Sequence, residues 1–135
     1  MSFFALSRRG RGGNVPTMFA LAMVPVVGAV GIAVDYSRVA TMRTELADAL
    51  EAGVKAVGNR PPMSNAAAFD MVNAWVAGRM AANEASEWHL DSVTVDASGR
   101  IVAIASGDVE TTVARVLGVA KIPIKVTGEA MRTAR

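Results

Sequence analysis

The pattern of apolar and polar positions changes character partway along this chain. From Asn14 to Val34 there is no charged residue, and the run reads NVPTMFALAMVPVVGAVGIAV. From Asp35 onward charge returns, yet apolar residues recur at Val39, Met42, Leu46, Leu50, Val54 and Val57. These steps of three or four place them on one face of an α-helix. Arg38, Thr41, Glu45, Asp48, Glu51 and Lys55 fill the other faces. Glu51 stands one turn before Lys55, the favourable order for an ion pair. No proline interrupts this second stretch before Pro61-Pro62, and Gly58-Asn59 is helix-stop chemistry. The pattern therefore predicts one continuous helix from Val15 to Val57, roughly 65 Å long. Its first half is apolar on every side and its second half is amphipathic.

Roughly 20 apolar residues in a helix span the ~30 Å hydrocarbon layer of a bilayer. A backbone in lipid must also satisfy its own hydrogen bonds, which a helix does. Arg8, Arg9 and Arg11 stand just before the run and no acid does. By the positive-inside rule they stay cytoplasmic and the C-terminal part lies outside. Pro16 falls in the first turn, where it is tolerated. Pro25 removes a backbone donor and should kink the helix between Leu21 and Pro25. A secretory signal has a similar layout, and Gly31-x-Ala33 offers a small-residue cleavage site. The run exceeds the ~7–15 residues of a signal core, and its helical phase continues past Asp35. An uncleaved anchor is the leading reading. A periplasmic binding module released by cleavage is the alternative.

Beyond Pro61-Pro62, Ser64 or Asn65 can cap a second helix. Phe69, Val72, Trp75, Val76 and Met80 give it a core stripe, with an end near Ala82 or Asn83. Leu90 to Asp96 alternates with period two, and Arg100 to Ser106 follows as a second strand. Ala97-Ser98-Gly99 between them is turn chemistry, so the pair reads as a β-hairpin. Thr111 to Leu117 reads as a short helix ending at Gly118, with Val113, Val116 and Leu117 on its apolar side. Ile122 to Met131 reads as a last strand, and Pro123 puts its start at a sheet edge. The fold class is α+β: a long N-terminal transmembrane and amphipathic helix, a second helix and a small three-stranded antiparallel sheet. The expected domains are a cytoplasmic basic tail (1–13), a transmembrane half-helix (14–34), an amphipathic half-helix (35–58) and a small extracytoplasmic head (64–135).

Composition changes this picture little. The chain has 135 residues, of which 52% are hydrophobic. Roughly 100 residues follow the apolar run, enough for one small domain. Three of the 14 basic residues and none of the 12 acids precede Asn14, so the remainder is nearly neutral. That balance does not suggest a nucleic-acid partner. The arginine-glycine run Arg8 to Gly13 reads as the membrane flank. With no cysteine there is no disulfide, thiolate metal site or cysteine nucleophile.

The search for chemistry is equally negative. His89 is the one histidine, and with Asp91 and Ser92 it supplies the residue types of a hydrolase triad. Triads assemble from distant positions, and neighbours in a strand alternate faces. His89 therefore reads as a plain strand residue. Gly10 to Gly13 lacks the lysine and strand of a phosphate loop. Asp96 to Gly99 is too short for an EF-hand. Glu84 and Glu87 beside Trp88 read as a solvated helix end. The expectation is a non-enzyme with no cofactor, no metal and no small-molecule substrate.

Two features of the long helix suit assembly. Gly28, Ala29, Gly31 and Ala33 form a small-residue side that would let another helix approach closely; ordinary membrane-helix composition explains them equally well. Asp35, Tyr36 and Arg38 sit at the outer membrane boundary. They read either as a polar cap fixing helix depth or as a register device, in which Asp35 pairs with a neighbour's basic group and a misregistered partner leaves it unpaired.

Several segments resemble one family. The start Arg9-Gly10-Arg11-Gly12-Gly13-Asn14-Val15, the run Phe19-Ala20-Leu21 and the boundary Gly31-Ile32-Ala33-Val34-Asp35-Tyr36-Ser37-Arg38 are similar to TadE/TadG-like proteins of Tad (tight adherence, Flp) pilus assembly. Val116-Leu117-Gly118-Val119 and the strand after it resemble the family's ending. The resemblance implies an inner-membrane minor pilin or pseudopilin of a type IV-related pilus, with other pilus subunits or assembly-platform proteins as partners, in a homo- or hetero-oligomer. It also implies Gly13 as a processing site. Met18 stands where processed pseudopilins carry a glutamate. TadG-type members have an apolar residue there, so that branch fits better.

Overall fold

The computed structural model describes residues 14–82 and 86–133. The first helix, α1, runs unbroken over Asn14–Gly58, through Pro25. A second helix, α2, covers Asn65–Met80. Strands β1 (Ser86–Val95), β2 (Arg100–Glu110) and β3 (Lys121–Met131) form one antiparallel sheet in the order β1-β2-β3. The α+β order read from the sequence, a long helix with an apolar first half, a second helix and a three-stranded antiparallel sheet, is the one observed.

All the buried residues of α1 lie from Asp35 onward. Met42, Leu46, Leu50, Val54 and Val57 are buried, joined by Ala49 and Gly53, so the predicted amphipathic face is the face that packs. The opposite face carries the exposed pair Glu51–Lys55 at 2.6 Å. The stripe of α2 is Ala68, Val72, Val76 and Met80, a strict one-turn repeat. Trp75 was expected in this stripe but is 45% exposed. It lies one position off the repeat, at the rim of the α1–α2 contact, where only part of the indole is covered. Ser64 caps α2 by accepting the N–H of Ala67 at 3.2 Å. Asn65 instead accepts the N–H of Val95 at 3.1 Å and ties the helix start to β1.

Both helices cover one face of the sheet. The central strand β2 alternates, with Ile101, Ala103, Ala105 and Val109 inward. Ile124 and Val126 do the same from β3. In β1 the buried residues are Leu90 and Val93, an odd number apart, which a regular strand would send to opposite faces. A bulge between Leu90 and Ser92 adds the extra residue that returns both to the core. The hairpin turn is where the sequence placed it. Asp96 accepts from the backbone of Ser98 and Arg100, both at 2.9 Å, and Gly99 takes the left-handed conformation at φ 85°.

Both hairpin strands are longer than expected. Gly107 and Asp108 look like strand breakers, yet they lie in a strand paired on both sides, and two ladders outweigh local propensity. The connection from β2 to β3 also departs from expectation. Only Ala114–Leu117 is helical, and it is a 3-10 helix that ends on Gly118 at φ 92°. Val116 and Leu117, on the side read as apolar, are 85% and 71% exposed.

Candidate functional site

Two surfaces stand out: the bare apolar half of α1 and its junction with the sheet. Along Asn14–Val34 the large side chains Val15, Met18, Phe19, Leu21, Val24 and Val27 all lie outward and uncovered. α1 is long and apolar enough to cross a membrane, and its most apolar window has no buried residue. A soluble core helix would bury such a face. This one is apolar all round and touches the rest of the fold only near its end, which suits a lipid or multi-helix surrounding.

The junction is built by the loop 111–120, which folds back along α1. Asp35 is 2% exposed. Its carboxylate accepts the backbone N–H groups of Thr112 at 2.8 Å, Val113 at 2.9 Å and Ala114 at 2.9 Å. The N–H groups of Ala114 and Thr112, then that of Val113, hold its carboxyl below the usual carboxylate range; Arg38 adds to this and burial opposes it. Arg38 also donates to the Thr112 hydroxyl at 2.7 Å. The loop is closed at its base, where Thr111 donates from N–H and hydroxyl to the Ala120 carbonyl, both at 3.1 Å.

One turn before Asp35, Gly31 provides the seat for Val113. A Cβ built on Gly31 would fall 2.1 Å from Val113 Cγ2 and 2.7 Å from its Cβ, far inside van der Waals contact. Only glycine fits here without moving the loop. Gly28, one turn earlier, has nothing within 4 Å of such an atom. The four small residues thus divide. Gly31 is occupied by this chain's own loop, whereas Ala29 and Ala33 are exposed and Gly28 has open space beside it. Asp35 is likewise satisfied within the chain. Tyr36 is exposed. Arg8, Arg9, Arg11 and Gly13 lie outside the described residues, as do Asn83 and Glu84.

The residues of the hydrolase pattern do meet, in the wrong order for a triad. His89 Nε2 lies 2.9 Å from Asp91 Oδ1, and Ser106, not Ser92, donates to the other oxygen of Asp91. His89 and Asp91, two apart in β1, share the open face with Ser106, the β2 residue paired with His89. A serine nucleophile needs the imidazole as its immediate base; here the carboxylate stands between them. Glu87, near Trp88, pairs with Lys121 at 3.3 Å. No group of three or more metal-ligating side chains is found among the described residues.

Sequence reasoning found Asp35, Arg38 and Gly31 but missed the loop that engages them. Its signal was present in Thr112-Val113-Ala114, a polar entry to an apolar run, though nothing local gives the destination.

Compared with known proteins, the chain matches one family model, described as "Putative Flp pilus-assembly TadE/G-like", over residues 13–60. The match covers α1 from end to end and stops before α2. It bears out the resemblance to TadE/TadG-like proteins, a family of pilus assembly and not of catalysis. No curated protein and no solved structure matches the chain.

Proposed function

We propose that this protein is a structural subunit of a Tad-like pilus assembly, a minor pilin or pseudopilin anchored by the first half of α1. Involvement in Flp/Tad pilus assembly has the direct support of the family match over 13–60. The finer reading rests on one observation: a single unbroken helix whose bare apolar half continues into the core of a folded head. In it, residues 14–34 cross the inner membrane and residues 1–13 remain cytoplasmic. Residues 35–58 and the head stand outside, where Tyr36 and the open faces of the head meet other subunits or assembly-platform proteins. Gly28, Ala29 and Ala33 face neighbouring helices. Asp35 and Arg38 fix the depth of the anchor by binding the loop, and Gly13 is the candidate processing site.

The junction argues against release by signal cleavage. A cut after Ala33 would remove Gly31, the seat of Val113, and leave Asp35 at a new chain end. The test is deletion of the gene with electron microscopy of surface pili, paired with affinity capture of the tagged protein from solubilised membranes. Lost or shortened pili and co-purified pilus components are expected. Normal pili with no pilus component captured would overturn the reading. The mass of the mature chain separates the alternatives, since a start near Val34 means release and a start at Met1 or Asn14 means an anchor.

A further inference from the structure

We infer that the loop 111–120 is a second membrane contact, dipping its apolar tip into the outer edge of the bilayer beside α1. The inference rests on the anchor reading above and adds a lipid-binding surface to the head.

The sheet has two ends of opposite character. The β1–β2 turn, Asp96-Ala97-Ser98-Gly99, is polar and lies by the C-terminal end of α1, where Gly58 meets Met131 and Ile101. The β2–β3 loop lies at the other end, against Gly31 and Asp35. From Val113 to Ala120 it reads VARVLGVA, with Arg115 its one charged residue. Val116, Leu117 and Val119 are exposed. A water-facing loop has no use for three large aliphatic side chains at its tip, least of all at the end nearest the bare apolar helix.

The position sets the depth. Val113 packs on Gly31, inside the uncharged run and about 6 Å along the helix axis from Asp35. A bilayer that covers the apolar run to Val34 therefore reaches the level of this loop. The backbone is prepared for that setting. Thr112, Val113 and Ala114 give their N–H groups to Asp35, and Val116, Gly118 and Val119 give theirs to carbonyls of the same loop. Unpaired backbone donors are what exclude irregular structure from lipid. Asp35 in turn can stand at the apolar boundary because the loop shields it. Arg38 and Arg115, both exposed, supply cations for lipid phosphates at the same border.

The absence of cysteine from the chain makes the test direct. Leu117→Cys, Val24→Cys and Ala97→Cys in the full chain are labelled with an environment-sensitive fluorophore. They are then reconstituted in phosphatidylcholine–phosphatidylglycerol vesicles containing lipids spin-labelled near the headgroup, to report on Leu117, or deep in the acyl chain, to report on Val24. Val24 reports the anchor, and Ala97 reports the polar end of the sheet, about 35 Å further along α1 from Asp35. The expected result is a blue shift and lipid quenching at Leu117 and Val24, with neither at Ala97. An aqueous, unquenched Leu117 label beside a quenched Val24 label would overturn the loop contact and leave the anchor standing. Aqueous labels at both positions would overturn both. A Leu117 label protected from aqueous iodide but untouched by spin-labelled lipid would assign the tip to a second copy of the chain and overturn the lipid contact.

Discussion

The two halves of α1 are one helix with two different surroundings. Leu46 in the second half has no exposed surface, and Leu21 in the first is 68% exposed. Both sit in unbroken helical backbone, so helix formation does not distinguish them. The second half is held by tertiary burial against α2 and the sheet. Among the described residues the first half buries no side chain against the head and meets it at Gly31. The comparison teaches that the helix is a connector: residues 42–57 supply part of the head's core, and no residue of 14–34 belongs to it.

The sharpest way to break that comparison is to make one change in both halves. Leu46→Ala removes a buried side chain from the centre of the core and should cost ~2–5 kcal/mol of head stability. Leu21→Ala removes an uncovered one and should stay within ~0.5 kcal/mol. Denaturant unfolding of the purified chain in detergent, followed by the circular dichroism of the sheet, measures both. Equal losses would mean that the first half is packed onto the head.

The border between the halves gives the next largest effect. Gly31→Val forces Val113 off its seat, and such overpacking should cost ~1–3 kcal/mol. Gly28→Val meets open space and should gain slightly from better helix propensity. Val113→Ala should rescue the Gly31 variant, because the two sites share one contact and their effects are coupled. Without rescue, Gly31 would matter through its backbone and not through the loop.

How much of this could be read in advance differs by region, for a physical reason. α1, the face it buries and the Asp96–Gly99 turn follow from local periodicity and turn chemistry, so they were legible. The fold class followed from element order. The length of β2 was not, because pairing on both sides carries Gly107 and Asp108 through a strand that their own propensities would end. Nor was the loop contact. Asp35 and Thr112 are 77 residues apart, and no periodicity links a carboxylate to backbone donors at that distance. The exposure of Val116 and Leu117 was hidden for a related reason: an apolar pattern gives a face but not whether protein or another medium covers it.

Acid should weaken this same junction. The folded-state carboxyl of Asp35 is held below its ordinary value of 3.8, so the unfolded chain takes up the proton first as pH falls. Its contribution is fully present above that value and is lost progressively as pH drops through it toward the lower folded value. Thermal melts from neutral pH downward should show an acid-side loss in the parent chain. Asp35→Asn should be less stable at neutral pH, because an amide offers one acceptor oxygen where three N–H groups converge, and it should lack this part of the acid dependence. Parallel curves for the two chains would remove Asp35 from the junction's energetics.

The smallest effect is expected on the outward face of the second half, and its smallness makes it useful. Glu51 and Lys55 form an ion pair that is more than half exposed on both sides, and such pairs add little to a folded chain because water and salt screen them. Glu51→Gln should leave the head's melting curve unchanged within error in high salt and nearly so in low salt. In the isolated molecule this face therefore carries no stability of its own. If the chain enters a pilus as proposed, a neighbouring subunit could meet this outward face of α1 as well as the bare apolar half. If Glu51→Gln impairs pilus formation while the melt stays put, the charge is read by another subunit and the second half of α1 has two partners, its own head inside and a neighbour outside. If pili are unchanged as well, contact between subunits is confined to the first half and the head, and the division of α1 into a folding half and an assembling half is complete.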